Sequence, residues 1–194
     1  MKRVHFLTGL LLVAGLFALP VLGQEAAKKK PGPAPSPSQA VLEQWNDIGR
    51  KLIAMAEDFP EDKFSYKPQV ESRTFQADMV HAAGSMYYFT DIAMGKKLRY
   101  ADVDKFSKME TDVKFANRAG LVAFVKKAVE DGAAAIKAKG DKGLNEAVDD
   151  GSPHLDRLYD LAYGLIEHSG EHYGQLVVYY RNNGLVPPES RPKK

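Results

Sequence analysis

The 194-residue chain contains no cysteine, and its 27 basic and 25 acidic residues nearly balance. The absence of cysteine excludes disulfide bonds, thiolate nucleophiles and cysteine-based zinc sites, so a hydrophobic core must stabilise the fold. Residues 39–190 carry 19 basic and 24 acidic residues, which excludes the broad basic surface that nucleic acid binding requires.

Residues 1–23 have the pattern of a secretory signal peptide. Two basic residues precede an apolar run from Phe6 to Leu22, and small residues at its end suit a signal peptidase. We therefore predict cleavage before Gln24, an exported protein that is periplasmic or secreted, and no stable membrane span after cleavage. A retained anchor is the alternative, although about 17 apolar residues is short of the roughly 20 that span a bilayer.

Residues 24–38 form a segment rich in proline, alanine and lysine. Four prolines are spaced at every second residue between Pro31 and Pro37, and this composition favours an extended, solvated tether. The sequence therefore predicts a disordered linker over residues 24–38. The folded domain is predicted to span residues 39–191, which is a usual size for one domain.

Within that domain, three segments show the apolar spacing of three and four residues that is typical of amphipathic helices. The first covers about residues 39–59 and is followed by a proline. The second begins near Thr74, and the third begins near Asn117. No segment shows a convincing strand pattern.

A fourth helix is predicted to begin at Ser152, as the capping residue, with Pro153 at the first helical position, and to end at Gly184. Four amphipathic helices bury their apolar faces most readily against one another. The predicted fold class is therefore all-α, a four-helix bundle. The connections over residues 60–73 and 95–116 are long, which predicts crossover loops.

The fourth helix carries two histidines where its apolar period requires core residues. The stripe consists of Leu158, Leu161, Leu165, His168, His172, Leu176 and Tyr179. His168 and His172 lie about 40° apart around the axis and about 6 Å apart along it, so their rings can converge on one ion. Each could instead be a buried histidine with its own partner, but two buried imidazoles without partners are costly. The pair therefore favours a shared divalent metal ion.

His81 lies beside the apolar stripe of the second helix. Its neighbours on that side are small: Ala77, Gly84 and Ser85. Small neighbours leave room for a ligand or a solvent-filled opening beside the ring, which makes His81 a candidate third ligand. The other two histidines are weaker candidates, because His5 lies in the predicted signal peptide and His154 near the predicted helix start, where exposure is expected.

Several segments resemble the DinB-like (DinB/YfiT-type) metal-binding bundles, and the resemblance extends over nearly all of residues 39–191. The segments that carry it are residues 75–84 around His81, residues 168–176 and 180–188 at the end of the domain, the connection 59–68, and Trp45 in the first helix. Transferred residue by residue, the histidine triad of that family falls on His81, His168 and His172.

The resemblance implies a four-helix fold with unusual connectivity and a metal ion at one end of the bundle. It implies zinc or nickel, with manganese or iron as alternatives, and water completing the coordination. The better-understood relatives are thiol-dependent transferases and isomerases. Predicted export argues against thiol transfer in this chain, because low-molecular-weight thiols are scarcer and more oxidised outside the cytoplasm.

Three neutral imidazoles on a divalent ion leave coordination positions open, as in catalytic rather than closed structural sites. We therefore expect a metal-dependent hydrolase or group transferase that acts on a small molecule. Glu171 is the candidate catalytic residue, with Tyr87, Tyr88 and Tyr173 as further candidates for proton transfer. The alternatives are that Glu171 is a surface carboxylate and that the protein is a non-catalytic metal-binding or stress-response module of the cell envelope. The sequence is also compatible with a homodimer.

Two other sites compete with this interpretation. Residues 168–172 match H-x-x-E-H, the inverzincin protease signature, but only 22 residues follow His172, too few for a distant carboxylate ligand. A haem site would use a methionine on a core stripe, such as Met55, Met79 or Met86. Methionine on a bundle stripe is far more often packing, and no C-x-x-C-H motif is present.

Overall fold

The computed structural model of the protein describes residues 31–99 and 114–192. Within these ranges the main elements are four α-helices: α1 (Pro37–Asp58), α2 (Phe75–Ala93), α3 (Arg118–Leu144) and α4 (Leu158–Asn182). The shorter elements are two 3-10 turns (Glu61–Lys63 and Pro188–Ser190) and an antiparallel pair of two-residue strands, β1 (Ala147–Val148) and β2 (Asp156–Arg157). The predicted all-α bundle is confirmed.

All four helices belong to one unit, Ala34–Lys194. Of the preceding unit, Met1–Pro33, only the last three residues are described, and they have no regular structure. The predicted signal peptide over residues 1–23 lies outside the described residues, as do residues 24–30 of the predicted linker. In the described ranges, no helix combines the length and apolar character that a membrane crossing needs.

The helices are connected diagonally across the bundle. Both α1 and α2 pack against α3 and α4, whereas α1 and α2 touch each other only marginally, and so do α3 and α4. The connection from α1 to α2 must therefore cross the end of the bundle, which confirms the predicted crossover over residues 60–73. A second crossover joins α3 to α4 over residues 145–157. The central part of the other long connection, residues 100–113, lies outside the described residues.

Side-chain caps fix where three of the helices begin. Thr74 accepts a hydrogen bond from the Ala77 amide at 3.1 Å, and Asn117 accepts one from the Gly120 amide at 3.0 Å. Both caps confirm the predicted starts of α2 and α3. Helix α1 begins two residues before the predicted start, because Ser36 and the Gln39 side chain form a capping box.

The predicted start of α4 is wrong. Ser152 does not cap a helix, since its amide donates to the side chain of Asp150 at 3.0 Å and the chain turns there. The chain then pairs β2 with β1, and α4 begins only at Leu158, which is fully buried. His154 therefore lies in a turn, where its side chain is 76% exposed. The end of α4 is as predicted, with Gly184 in the left-handed region at φ 70°.

An apolar core fills the space between the helices, and the predicted stripes of α1 and α2 supply much of it. Trp45 of α1 is fully buried, and its indole Nε1 donates to the Val129 carbonyl of α3 at 2.9 Å. Gly132 of α3 packs directly on the Trp45 ring, so that a Cβ at this position would overlap the ring. The close approach of α1 and α3 therefore depends on a glycine.

We expect Gly132→Ala to lower the free energy of unfolding by about 1–3 kcal/mol, because overpacking the Trp45 contact outweighs the better helix propensity of alanine. Gly164→Ala in α4 is the matched control. A Cβ at Gly164 meets open space, so this change should raise stability by about 0.5–1 kcal/mol. Urea unfolding followed by circular dichroism measures both. Equal stabilisation by the two substitutions would contradict this packing.

Candidate metal centre

The packing of α2 against α4 brings three histidines together. Helix α2 supplies His81, and α4 supplies His168 and His172 one turn apart. One nitrogen from each ring lies within 4.8 Å of the other two, and Nε2 of His81 is 3.2 Å from Nε2 of His168. The structure therefore brings together all three histidines that the sequence predicted as ligands.

The rings approach one another without stacking. The centroid of the His172 ring is 4.5 Å from that of His81 and 4.6 Å from that of His168, with the planes inclined by 52° and 73°. Nitrogen ligands with bonds of about 2.1 Å on one tetrahedral ion would be about 3.4 Å apart. The group could hold a metal ion with small movements of the side chains.

Burial, and after it the proximity of His172 and His81, lowers the pKa of His168 to about 4. The His168 ring is therefore neutral near pH 7, which is the form that binds a metal. Its side chain remains 30% exposed, whereas that of His172 is 5% exposed. The His168 ring is thus both neutral and partly accessible to solvent.

Asp78 holds the outer nitrogen of His172. Its Oδ1 lies 3.0 Å from Nδ1 of His172, and the side chain of Asp78 is 1% exposed. Because an ionised carboxylate only accepts hydrogen bonds, Nδ1 carries the proton and Nε2 is left to face the other histidines. A carboxylate behind a histidine ligand is a common second layer of metal sites, where it fixes the tautomer and the orientation of the ring.

Asp78 was not among the site residues predicted from the sequence. The residue lies in the first turn of α2, where an acidic side chain is already explained by the favourable interaction with the helix dipole. A usable signal was its position three residues before His81, which places both residues on the same side of the helix. Only the packing of α4 shows that Asp78 faces His172.

Glu171 lies behind His168, at the outer edge of its ring. Its Oε2 is 3.9 Å from Nδ1 of His168, too far for a hydrogen bond, and its side chain is 60% exposed. Nδ1 is on the other side of the ring from Nε2, the atom that approaches His81. The predicted catalytic role of Glu171 stays a prediction, and this position also suits an orienting contact with His168.

The tyrosines named as candidates have other contacts. The hydroxyl of Tyr88 donates to the Asp150 carbonyl at 2.9 Å, and the guanidinium of Arg99 lies 3.6 Å from the centre of the Tyr87 ring. Burial raises the pKa of Tyr173, and the ring packs against the core. These contacts indicate structural roles for Tyr87 and Tyr88.

Ser85, one turn after His81, reaches the histidine group. Its Oγ lies 3.2 Å from Nε2 of His168. The residue is 7% exposed, and Gly84 is buried as well. The expected opening beside His81 is therefore occupied in part by the Ser85 hydroxyl.

The ligand types at this site agree with zinc and nickel, the two ions that the resemblance implies first. Three imidazoles with a supporting carboxylate are ligands that suit zinc and nickel, whereas manganese prefers sites richer in oxygen. Asp78 supplies the orienting contact that ligating histidines usually have.

The fold and the histidine group define a helical bundle with a candidate three-histidine metal centre. The chain is similar in structure to a DinB-like protein from Bacillus subtilis, YjoA, whose crystal structure it matches with a TM-score of 0.58 at 18% sequence identity. The match covers 79% of this chain and 99% of that one. The resemblance to the DinB-like bundles is thus confirmed at the level of the fold. No family model and no curated protein matches the chain.

We expect Asp78→Ala to weaken zinc binding about 10- to 100-fold, the usual effect of removing a carboxylate behind a histidine ligand. Asp91→Ala is the matched control, because Asp91 is also 1% exposed on α2 but bonds to Arg99 instead of a histidine. Competition with a zinc chelator measures both affinities. Equal losses in the two variants would show that the effect comes from general destabilisation of α2.

Proposed function

We propose that this chain is an exported metal-dependent hydrolase or group transferase that binds a divalent ion, zinc or nickel, through His81, His168 and His172 and acts on a small molecule. The observation that carries the proposal is the convergence of the three nitrogens within 4.8 Å beside a buried carboxylate. Packing alone gives no reason to place three imidazoles and Asp78 between two amphipathic helices.

The polar atoms of the group support binding of an ion. Neutral imidazoles each have one nitrogen that accepts, and the two Nε2 atoms of His81 and His168 are 3.2 Å apart. A single cation would interact favourably with all three lone pairs, and the carboxylate of Asp78 would balance part of its charge.

A bound divalent ion with three imidazole ligands keeps a position for water, whose pKa it lowers toward 7. The residues of this chain supply the rest of the site. Asp78 orients His172, and the partly exposed edge of His168 provides access from solvent. These features support hydrolysis or group transfer on a small substrate that reaches the group from the side of His168.

A non-catalytic metal-binding module of the cell envelope, for metal storage, sensing or stress response, is the second candidate. The position of Glu171 favours it, because this carboxylate lies at the outer edge of His168 and 60% of it is exposed. A catalytic site needs a group that moves protons within reach of the substrate. Substitution of Glu171 therefore separates the two functions.

Metal content and turnover of two variants test the proposal, once a screen of small esters, amides and phosphoesters has identified an activity. We expect Glu171→Gln to keep its metal and to lower turnover roughly 10²-fold, the scale of general acid–base assistance. His172→Ala should lose both metal and activity. His154→Ala is the control for a histidine outside the group and should change neither. A module without catalysis is indicated if Glu171→Gln has no effect and the screen finds no activity.

Export is part of the proposal and rests on the sequence of residues 1–23. We expect the protein isolated from the periplasm or the medium to begin at Gln24, because signal peptidase accepts the small residues that precede it. Intact-mass measurement of the exported protein checks this start. Replacing Gly23 with a bulky charged residue should block cleavage and leave the larger mass. Recovery of the uncut chain in the membrane fraction of the wild type would support a retained anchor instead.

A further inference from the structure

We propose that Ser85 is a positioning residue that accepts a hydrogen bond from water at the candidate metal centre, and so favours hydrolysis over thiol transfer. This inference rests on the proposed function and names the class of ligand that the centre prefers. It depends on the direction in which the Ser85 hydroxyl points its one proton.

The proton of Ser85 is committed to the backbone. Its Oγ donates to the carbonyl of His81, one turn earlier in α2, at 2.7 Å. A hydroxyl has one proton and two lone pairs. Ser85 therefore presents only lone pairs to Nε2 of His168, which lies 3.2 Å from its Oγ. In the metal-free protein, Nε2 of His168 can supply the proton that this acceptor needs.

Metal binding removes that donor. A histidine nitrogen that ligates an ion carries no proton, so the Oγ of Ser85 would lose its partner at Nε2 of His168. The residue is 7% exposed, and a buried acceptor without a donor is costly. A water molecule or hydroxide bound at the open position carries a proton that can restore this hydrogen bond.

The nature of the group bound at the open position decides whether the bond forms. Water, hydroxide or an alcohol keeps a hydrogen on the ligating atom, whereas a thiolate has none. Ser85 would therefore stabilise a bound oxygen nucleophile, whereas it could not accept a hydrogen bond from a bound thiolate. This preference agrees with hydrolysis and disfavours the thiol chemistry that the resemblance implies for better-understood relatives.

Thr90 provides a matched comparison on the same helix. Its Oγ1 also donates one turn back, to the Met86 carbonyl at 3.0 Å, and the residue is 2% exposed. Its hydroxyl has no hydrogen bond to a histidine among the described residues. Thr90→Val therefore removes a buried hydroxyl with the same backbone bond while it leaves the histidine group unchanged.

The experiment uses the cobalt-substituted protein, whose visible spectrum reports ligand exchange. Azide and ethanethiol are titrated separately, because both displace water and neither carries a hydrogen on the ligating atom. We expect Ser85→Ala to bind both ligands about three- to tenfold more tightly than the wild type, since loss of one hydrogen bond makes the water easier to displace. Ser85→Thr, which keeps the hydroxyl, and Thr90→Val should match the wild type.

The ligand affinities of Ser85→Ala distinguish the possible roles of Ser85. Unchanged ligand affinities in Ser85→Ala would overturn it, and weaker ethanethiol binding would show that Ser85 donates to sulfur. If Ser85→Ala does not load cobalt, Ser85→Gly is used in its place. If neither variant loads cobalt, Ser85 supports the histidine ligands instead of the bound water. If the wild type binds none of cobalt, zinc and nickel, the proposed metal centre itself is refuted. This result is seen before azide or ethanethiol is added.

Discussion

The buried bond between His172 and Asp78 constrains how the rest of the bundle can pack. Both side chains are almost inaccessible to solvent, and separating them would leave a buried carboxylate without its partner, which is among the most costly defects in a core. A slip of one helical turn between α2 and α4 would break this bond. The same slip would move His81 away from His168, so one contact fixes both the helix register and the histidine group.

The diagonal connectivity leaves α2 and α4 free to form this contact. Helix α2 packs against both α3 and α4, and α1 packs against the same two helices, so the contact between α2 and α4 is one of four helix interfaces around the core. At the interface between α1 and α3, the ring of Trp45 packs directly against Gly132. All four helices thus contribute to the apolar core, and the interface of α2 and α4 also carries the histidine group.

The periodicity of the sequence predicted the parts of the structure that depend on local rules. A spacing of four residues on an apolar stripe is enough to place His168 and His172 on one face of a helix, and the cap at Thr74 is readable from its residue type. The start of α4 was not predictable in this way, because pairing of β2 with β1 overrides the capping signal of Ser152. Partners across the helix interface, such as Asp78, depend on tertiary packing that periodicity does not encode.

The distribution of unsatisfied polar atoms separates the candidate site from the core. Among the described residues, three buried side-chain atoms lack a hydrogen-bond partner, and two of them belong to the site helices. They are Oδ2 of Asp78, whose Oδ1 bonds to His172, and Oγ of Ser169, the residue after His168. Elsewhere the interior of the bundle is almost entirely apolar. Buried polar atoms without a hydrogen bond reduce the stability of a fold. Natural sequences keep such atoms chiefly where function requires them. Polar groups at the interface of α2 and α4 are therefore what a candidate binding site would show.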